Sequence, residues 1–137
     1  MNENETAKHI LDASFKVYTK LGPGVYESVY ETLVAYELKK SGLSVERQKP
    51  MPITYDGLQF EEAFRSDLVV NGKVIVELKS LEALLPVYAK QLLTMLRLTG
   101  LKLGLLINSG EAHLKNGIKR IINGELEGGP PVDTPPV

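Results

Sequence analysis

Residues 101–107 restrict the folds open to this chain more than any other segment, because five of the seven are leucine or isoleucine. A strand that faces water on one side alternates apolar and polar residues, whereas a strand covered on both sides is apolar throughout. The segment therefore predicts a buried strand between two layers, and helices elsewhere in the chain would supply those layers.

Four stretches have apolar residues at the three- and four-residue spacing that is typical of amphipathic helices. They predict helices over residues 5–20, 25–40, 86–99 and 111–122. Gly22-Pro23-Gly24 would end the first helix and Gly42 the second, while Pro86 suits the first turn of the third.

Extended segments flank two Asx-Gly pairs, which are strong hairpin signals. Pro50 and Pro52 indicate an edge or a bend, because proline cannot donate to a sheet ladder. We predict strands over residues 45–48, 53–55 and 58–60 around Asp56-Gly57, and over 63–70 and 73–79 around Asn71-Gly72. The predicted fold is an α/β fold with a mixed central sheet flanked by helices, in the order α-α-β-β-β-α-β-α.

Composition excludes several kinds of site. The 137 residues contain no cysteine and two histidines, so disulfides, zinc–thiolate sites and multi-histidine metal sites are excluded within one chain. A metal site would need oxygen ligands, which favour Mg²⁺, Mn²⁺ or Ca²⁺. The net charge of −1 means that any binding of nucleic acid must depend on a local patch.

Length and hydropathy suggest one domain over residues 1–127, followed by a proline- and glycine-rich, non-core tail over 128–137. The N-terminal residues lack a basic region followed by an apolar run, and no stretch approaches the roughly 18 apolar residues of a membrane span. We therefore expect a cytoplasmic protein without a membrane segment.

The strand over residues 73–79 carries the most informative polar residues. Side chains alternate between faces, so Ile75, Glu77 and Lys79 share one face. One interpretation is a half-exposed strand whose wet face carries Glu77 and Lys79. The other is a site for a divalent cation and a phosphate, because Asp67 lies across the hairpin.

The second interpretation depends on the register of this hairpin. A two-residue loop would place Asp67 opposite Val76, on the face away from Glu77. We therefore expect an odd loop, Val70-Asn71-Gly72, with Gly72 in a left-handed bulge. That loop would place Asp67 opposite Ile75 and diagonal to Glu77.

Asp67 followed by Glu77-x-Lys79 resembles the PD-(D/E)XK nuclease motif. The segment from Gly24 to Tyr30 matches G-x-x-E-x-x-Y, the pattern that names the GxxExxY protein family of that superfamily. A helix with Gln91 and then an apolar strand follow in the same order as in the family. The resemblance covers residues 5–123.

The resemblance implies a restriction-endonuclease-like core and a nuclease that depends on Mg²⁺ or Mn²⁺. Asp67 and Glu77 would hold the metal, with Glu27 as an outer or third carboxylate. Lys79 would position or activate the attacking water, and Gln91 would orient Lys79 or the substrate. Glu27 also forms an i,i+4 pair with Glu31, which is equally typical of a solvated acidic face.

Two positions depart from the family pattern. Met95 replaces the tyrosine that exonuclease-type relatives carry four residues after the glutamine, and Ser66 replaces the proline before Asp67. The expected function is a metal-dependent nuclease hydrolysing phosphodiester bonds, on DNA rather than RNA, with a homodimer as a further expectation. The alternative is a non-catalytic nucleic-acid-binding or scaffolding module that keeps the nuclease fold.

Overall fold

The computed structural model describes residues 1–126, so the predicted tail over residues 128–137 lies outside the described residues. Two helices precede the strands in the chain, and a third helix connects the two parallel strands of the sheet. The elements are α1 (Glu3–Leu21), α2 (Glu27–Lys40), β1 (Val45–Tyr55), β2 (Leu58–Val70), β3 (Val74–Lys79), α3 (Pro86–Thr99), β4 (Leu103–Asn108), a short 3-10 helix (Leu114–Gly117) and β5 (Ile118–Ile122).

The five strands form one mixed sheet in the order β1-β2-β3-β4-β5. Only β3 and β4 are parallel, and every other neighbouring pair is antiparallel. The sheet and its flanking helices confirm the predicted α/β fold, which is consistent with a restriction-endonuclease-like core.

Helices cover both faces of the sheet. On one face Val74, Val76 and Leu78 pack with the apolar residues of α1 and α2. On the other face Ile75 packs with Leu92 and other apolar residues of α3. All six residues of β4 are buried, which confirms the prediction of a strand between two layers.

The predicted helix over residues 111–122 is wrong. The segment contains the 3-10 helix and then β5, which pairs antiparallel with β4, so the order ends in two strands. Gly117 approaches the backbone of β4 so closely that a Cβ atom there would lie 2.6 Å from the Asn108 carbonyl oxygen. The isoleucines of β5 then pair with β4, whose edge would otherwise be open.

Both hairpins form, with loops of different length. Asp56-Gly57 is a two-residue turn between Tyr55 and Leu58, as predicted. β1 is an edge strand that runs through Pro50 and has a bulge between Met51 and Ile53, so the two short predicted strands are one strand.

The loop between β2 and β3 is odd, as predicted, but its members differ from the prediction. Val70 pairs with Val74, so the three loop residues are Asn71, Gly72 and Lys73. Asn71 and Gly72 both have positive φ, 54° and 62°, and the Lys73 N–H donates to the Val70 carbonyl. Two successive left-handed residues give a turn whose twist matches that of the flanking strands. The turn can therefore begin at Asn71, and Val70 stays paired in β2.

Within residues 1–126, no helix is both long enough and apolar enough to cross a membrane.

Candidate active site

The register of β2 and β3 brings Asp67 and Glu77 together. Leu68 and Val76 are the last paired residues, so Asp67 and Glu77 occupy the next positions, where the strands separate. Because Val69 and Ile75 pack on the α3 side, strand alternation places both carboxylates on that side. The predicted diagonal arrangement is wrong. Val70 pairs with Val74 rather than lying in the loop, and this register sets Asp67 directly opposite Glu77.

Two donors hold the Asp67 carboxylate. The Leu78 N–H donates to Oδ2 at 2.8 Å, and Gln48 Nε2 donates to Oδ1 at 3.1 Å. One donor comes from β3 and the other from β1, so the carboxylate has a fixed orientation between its neighbouring strands.

Glu77 is in a different environment. Its Oε1 atom is buried and has no hydrogen-bond partner among the described residues. Burial, and then the charge of Asp67, raise the pKa of Glu77 to about 9. Glu77 and Lys79 are both half-buried, so this face of β3 is partly exposed, and the buried Oε1 atom is the feature that favours a cation site.

A buried carboxylate oxygen without a partner, beside a second carboxylate, is a donor set that suits a hard divalent cation. Asp67 and Glu77 fit such an ion. Among residues 1–126, however, no three acidic or histidine side chains form a cluster that could hold a metal. The structure therefore brings together two of the three predicted ligands.

Glu27, the third predicted ligand, is the first residue of α2 and is exposed. Its pKa is raised by partial burial and by the charge of Asp67, and is lowered by the charge of Lys79. The carboxylate is thus close enough to the predicted site to interact with it electrostatically. Glu27 lies on α2, which packs on the other face of the sheet.

Lys79 and Gln91 line the same cavity as Glu77. The cavity has a volume of about 480 Å³ and lies between α3 and the sheet. Lys79 Nζ lies 4.8 Å from the centre of the Tyr88 ring, in the first turn of α3. This cation–π contact directs the ammonium group along the cavity wall, and sequence analysis missed Tyr88 because nothing in its spacing links it to Lys79.

Sequence analysis also missed Glu31, Arg47 and Gln48. Glu31 is only 5% exposed, so its assignment to a solvated acidic face is wrong. Its Oε2 accepts from Arg47 Nε at 3.1 Å and Nη2 at 3.0 Å, and its Oε1 accepts from Gln48 Nε2 at 2.6 Å. One signal was available, since Glu31 shares a helix face with buried Val34 and Ala35.

Gln48 therefore connects a partly buried ion pair to the candidate active site. Its amide nitrogen donates to both Glu31 and Asp67, and its backbone has φ of 47°, which is unusual for a residue other than glycine. Backbone strain of this kind persists only where surrounding contacts compensate for it. The contacts to Glu31 and Asp67 are that compensation.

The Gln48 contacts predict a specific pattern of stability. Gln48→Ala should lower the free energy of unfolding by about 1–3 kcal/mol, because it leaves a buried Glu31 oxygen without its donor. Gln48→Gly should lower it less, because glycine relieves the positive φ. Denaturant titration measures both values. The control is Gln59→Ala, at an exposed position of β2. Equal stability of Gln48→Ala and the wild type would contradict the account.

Burial of Glu77 predicts a pH dependence in the absence of divalent cations. The folded protein raises the pKa of this group from 4.5 to about 9, so between these pH values the folded state keeps a proton that the unfolded state has lost, and the free energy of unfolding falls as the pH rises. Glu77→Gln should therefore be more stable than the wild type at pH 8, by at least about 1 kcal/mol, with the difference shrinking towards pH 5.

Denaturation in EDTA at pH 5 and pH 8 measures this difference, and Glu82→Gln, at an exposed position, is the matched control. A stability difference between wild type and Glu77→Gln that is the same at both pH values would show that Glu77 is not a buried, ionisable group.

Comparison with known proteins agrees with this geometry. The family model of the PD-(D/E)XK nuclease superfamily matches residues 4–121, which include Asp67, Glu77, Lys79 and Gln91. No curated protein and no solved structure matches the chain. Because the family model covers most of the chain, including both carboxylates and the lysine, this protein belongs to the PD-(D/E)XK nuclease superfamily.

Proposed function

We propose that the chain is a Mg²⁺-dependent nuclease that hydrolyses phosphodiester bonds, with DNA as the preferred substrate and Mn²⁺ as an alternative ion. The observation that carries the proposal is that Asp67 and Glu77 face each other just beyond the last strand pair, on the face of the sheet that also carries Lys79. Membership of the superfamily supports it, because PD-(D/E)XK nucleases generally use divalent metal ions. The segment from Gly24 to Tyr30 further supports placement in the GxxExxY family.

Asp67 and Glu77 would hold the ion, and Glu27 would contribute an outer negative charge. A divalent cation in such a site polarises a phosphoryl oxygen and makes a water molecule more acidic. Its positive charge would also remove the cost of ionising buried Glu77, whose pKa is raised to about 9. Ion binding and the active protonation state of the site are thus coupled.

Lys79 would place a positive charge from the protein next to the phosphate that is cleaved. An ammonium group is a compact charge with three rotatable donors, which suits a phosphate whose negative charge increases in the transition state. The contact with Tyr88 limits where Nζ can lie. From that position Lys79 can donate to a phosphate oxygen and orient the attacking water.

Gln91 extends from the exposed side of α3 into the same cavity. Its amide can donate to a phosphate or sugar oxygen, or accept a hydrogen bond from Lys79. The polar contacts from Arg47 through Glu31 and Gln48 to Asp67 keep the acidic side of the site in place. Fixed charges of this kind contribute most to catalysis, because they need no rearrangement during the reaction.

The required effect is large. Uncatalysed phosphodiester hydrolysis is slow enough that a useful enzyme must lower the barrier by more than roughly 15 kcal/mol. Charge stabilisation by an ion and a lysine is the kind of effect that reaches such values. Asp67, Glu77 and Lys79 are therefore the residues on which activity should depend.

The competing function is a non-catalytic module that binds nucleic acid or serves as a scaffold. Two observations favour it: the net charge is −1, and Glu27 does not complete a three-carboxylate cluster in the described residues. The two functions differ in whether Mg²⁺ both stabilises the protein and permits cleavage.

Cleavage assays separate these functions. Wild type should cleave labelled DNA with Mg²⁺ or Mn²⁺ and not with EDTA. Glu77→Gln should lose cleavage and most of the Mg²⁺-induced rise in Tm. Lys79→Ala should keep that rise but lose cleavage by roughly 100-fold or more, because the lysine acts on water and phosphate rather than on the ion.

Lys8→Ala is the control for the lysine variant, since Lys8 is exposed on α1 at the other face of the sheet. Parallel reactions with single-stranded and double-stranded DNA and RNA test the substrate preference. A wild type that shows neither a Mg²⁺-induced shift nor cleavage would favour the non-catalytic module. Full activity of Lys79→Ala would leave the nuclease but remove the role of this lysine.

A further inference from the structure

The cavity that contains Glu77 and Lys79 also has apolar walls, which a phosphate group alone would not contact. Phe64, Met95 and Leu98 line it together with polar Glu77 and Lys79. Its volume of about 480 Å³ lies within the range of about 300–1,000 Å³ that is typical of small-molecule sites. An occupant therefore needs an apolar body joined to an anionic group, and it must be far smaller than a nucleic-acid duplex.

The apolar surface continues beyond the cavity onto the end of the first hairpin. We call residues 51–64 of β1 and β2 the hairpin arm. Ile53 lines the cavity, and Tyr55 follows it by two residues on the same face. Their cross-strand partners Phe60 and Leu58 share that face, and Phe60 is 50% exposed. A connected exposed apolar surface of this kind marks a binding site.

Charge on the hairpin arm disfavours a continuous duplex. The arm contains Asp56, Glu61 and Glu62, and it contains no lysine or arginine. The nearest arginine, Arg65, is paired with Glu62 at 2.6 Å. Duplex binding requires cations along the phosphate backbone, and the arm offers the opposite charge. Within the cavity Lys79 and Arg65, which also lines it, can meet a single phosphate.

We propose that this cavity binds the base of one unpaired nucleotide next to the phosphate that is cleaved. A paired base is covered by its neighbours, whereas an unpaired base presents a flat face to Phe64, Met95 and Leu98. The substrate class is then single-stranded DNA, including overhangs and frayed ends. The position of the cleaved phosphate rests on the proposed nuclease function, but the contact with the base does not.

This substrate class also removes one reason for a homodimer. Cutting both strands of a duplex calls for two active sites, whereas one site is sufficient for a single strand. The acidic hairpin arm gives no attraction for phosphates, so it would contact the bases of the single strand, through exposed Phe60 and Leu58, rather than a second copy of the chain.

Equilibrium binding in EDTA tests the base contact without cleavage. The probes are a fluorescent single strand, a blunt duplex of the same sequence, and an abasic strand of the same length. The single strand should bind more tightly than the duplex and roughly tenfold more tightly than the abasic strand. A single-stranded RNA probe tests the sugar preference. Equal binding of the abasic and intact strands would overturn the proposal.

Variants locate the contact. Leu98→Asp should weaken binding of the single strand roughly tenfold, because Leu98 lines the cavity and is 48% exposed. Phe60→Ser on the hairpin arm should weaken it in the same direction. Leu21→Asp is the matched control, since Leu21 is 44% exposed at the end of α1 on the other face of the sheet.

The outcomes also separate this inference from the proposed nuclease function. Base-dependent binding that Leu98→Asp weakens, without cleavage in any metal, would keep the site and reject the nuclease. Cleavage with a preference for continuous duplex would keep the nuclease and reject the site. A wild-type dimer that Leu98→Asp dissociates, with unchanged binding of the single strand, would show that the apolar surface contacts protein and would overturn the proposal.

Discussion

Where β2 and β3 stop pairing, the Asp67 carboxylate accepts the Leu78 N–H at 2.8 Å. In a regular antiparallel ladder a backbone carbonyl would be the acceptor. With the side chain in that role, the strands can separate without leaving a buried donor unpaired. The same contact holds the Asp67 carboxylate beside Glu77, so the geometry of the candidate active site depends on it.

The two layers of helices contribute unequally to this site. α1 and α2 bury one face of β3 completely, which holds Val76 and Leu78 rigidly on either side of Glu77. α3 covers the other face only in part, because Leu92 and Leu96 are buried while Gln91 and Leu98 reach the cavity. A rigid strand beneath an incompletely covered face allows charged side chains to be partly buried and still accessible to a ligand.

Sequence analysis predicted the features that depend on local periodicity. Strand alternation was sufficient to place Glu77 and Lys79 on one face of the sheet. Asp67 could lie on that same face only if the hairpin loop contained an odd number of residues. The predicted last helix was wrong because apolar residues three and four apart in a short segment also suit a strand at the edge of β4. The turn-forming pair Asn116-Gly117 within that segment was a signal against a helix.

Contacts between elements distant in sequence were outside what periodicity could predict. Glu31, Gln48 and Tyr88 contact site residues only because α2, β1 and α3 meet around the end of β3. The positive φ of Gln48 is equally invisible in sequence, since glutamine is not a residue that favours it. Resemblance to a family named the candidate site residues, but not the residues that hold them in place.

A crystal structure with Mn²⁺, which can be located by its anomalous scattering, tests the central claim most directly. The account predicts an anomalous peak within about 2–2.5 Å of a carboxylate oxygen of both Asp67 and Glu77. Crystals of Glu77→Gln grown in the same conditions should show a weaker peak or none. A Mn²⁺ ion bound elsewhere in the wild type, with Glu77 making no contact to it, would contradict the account.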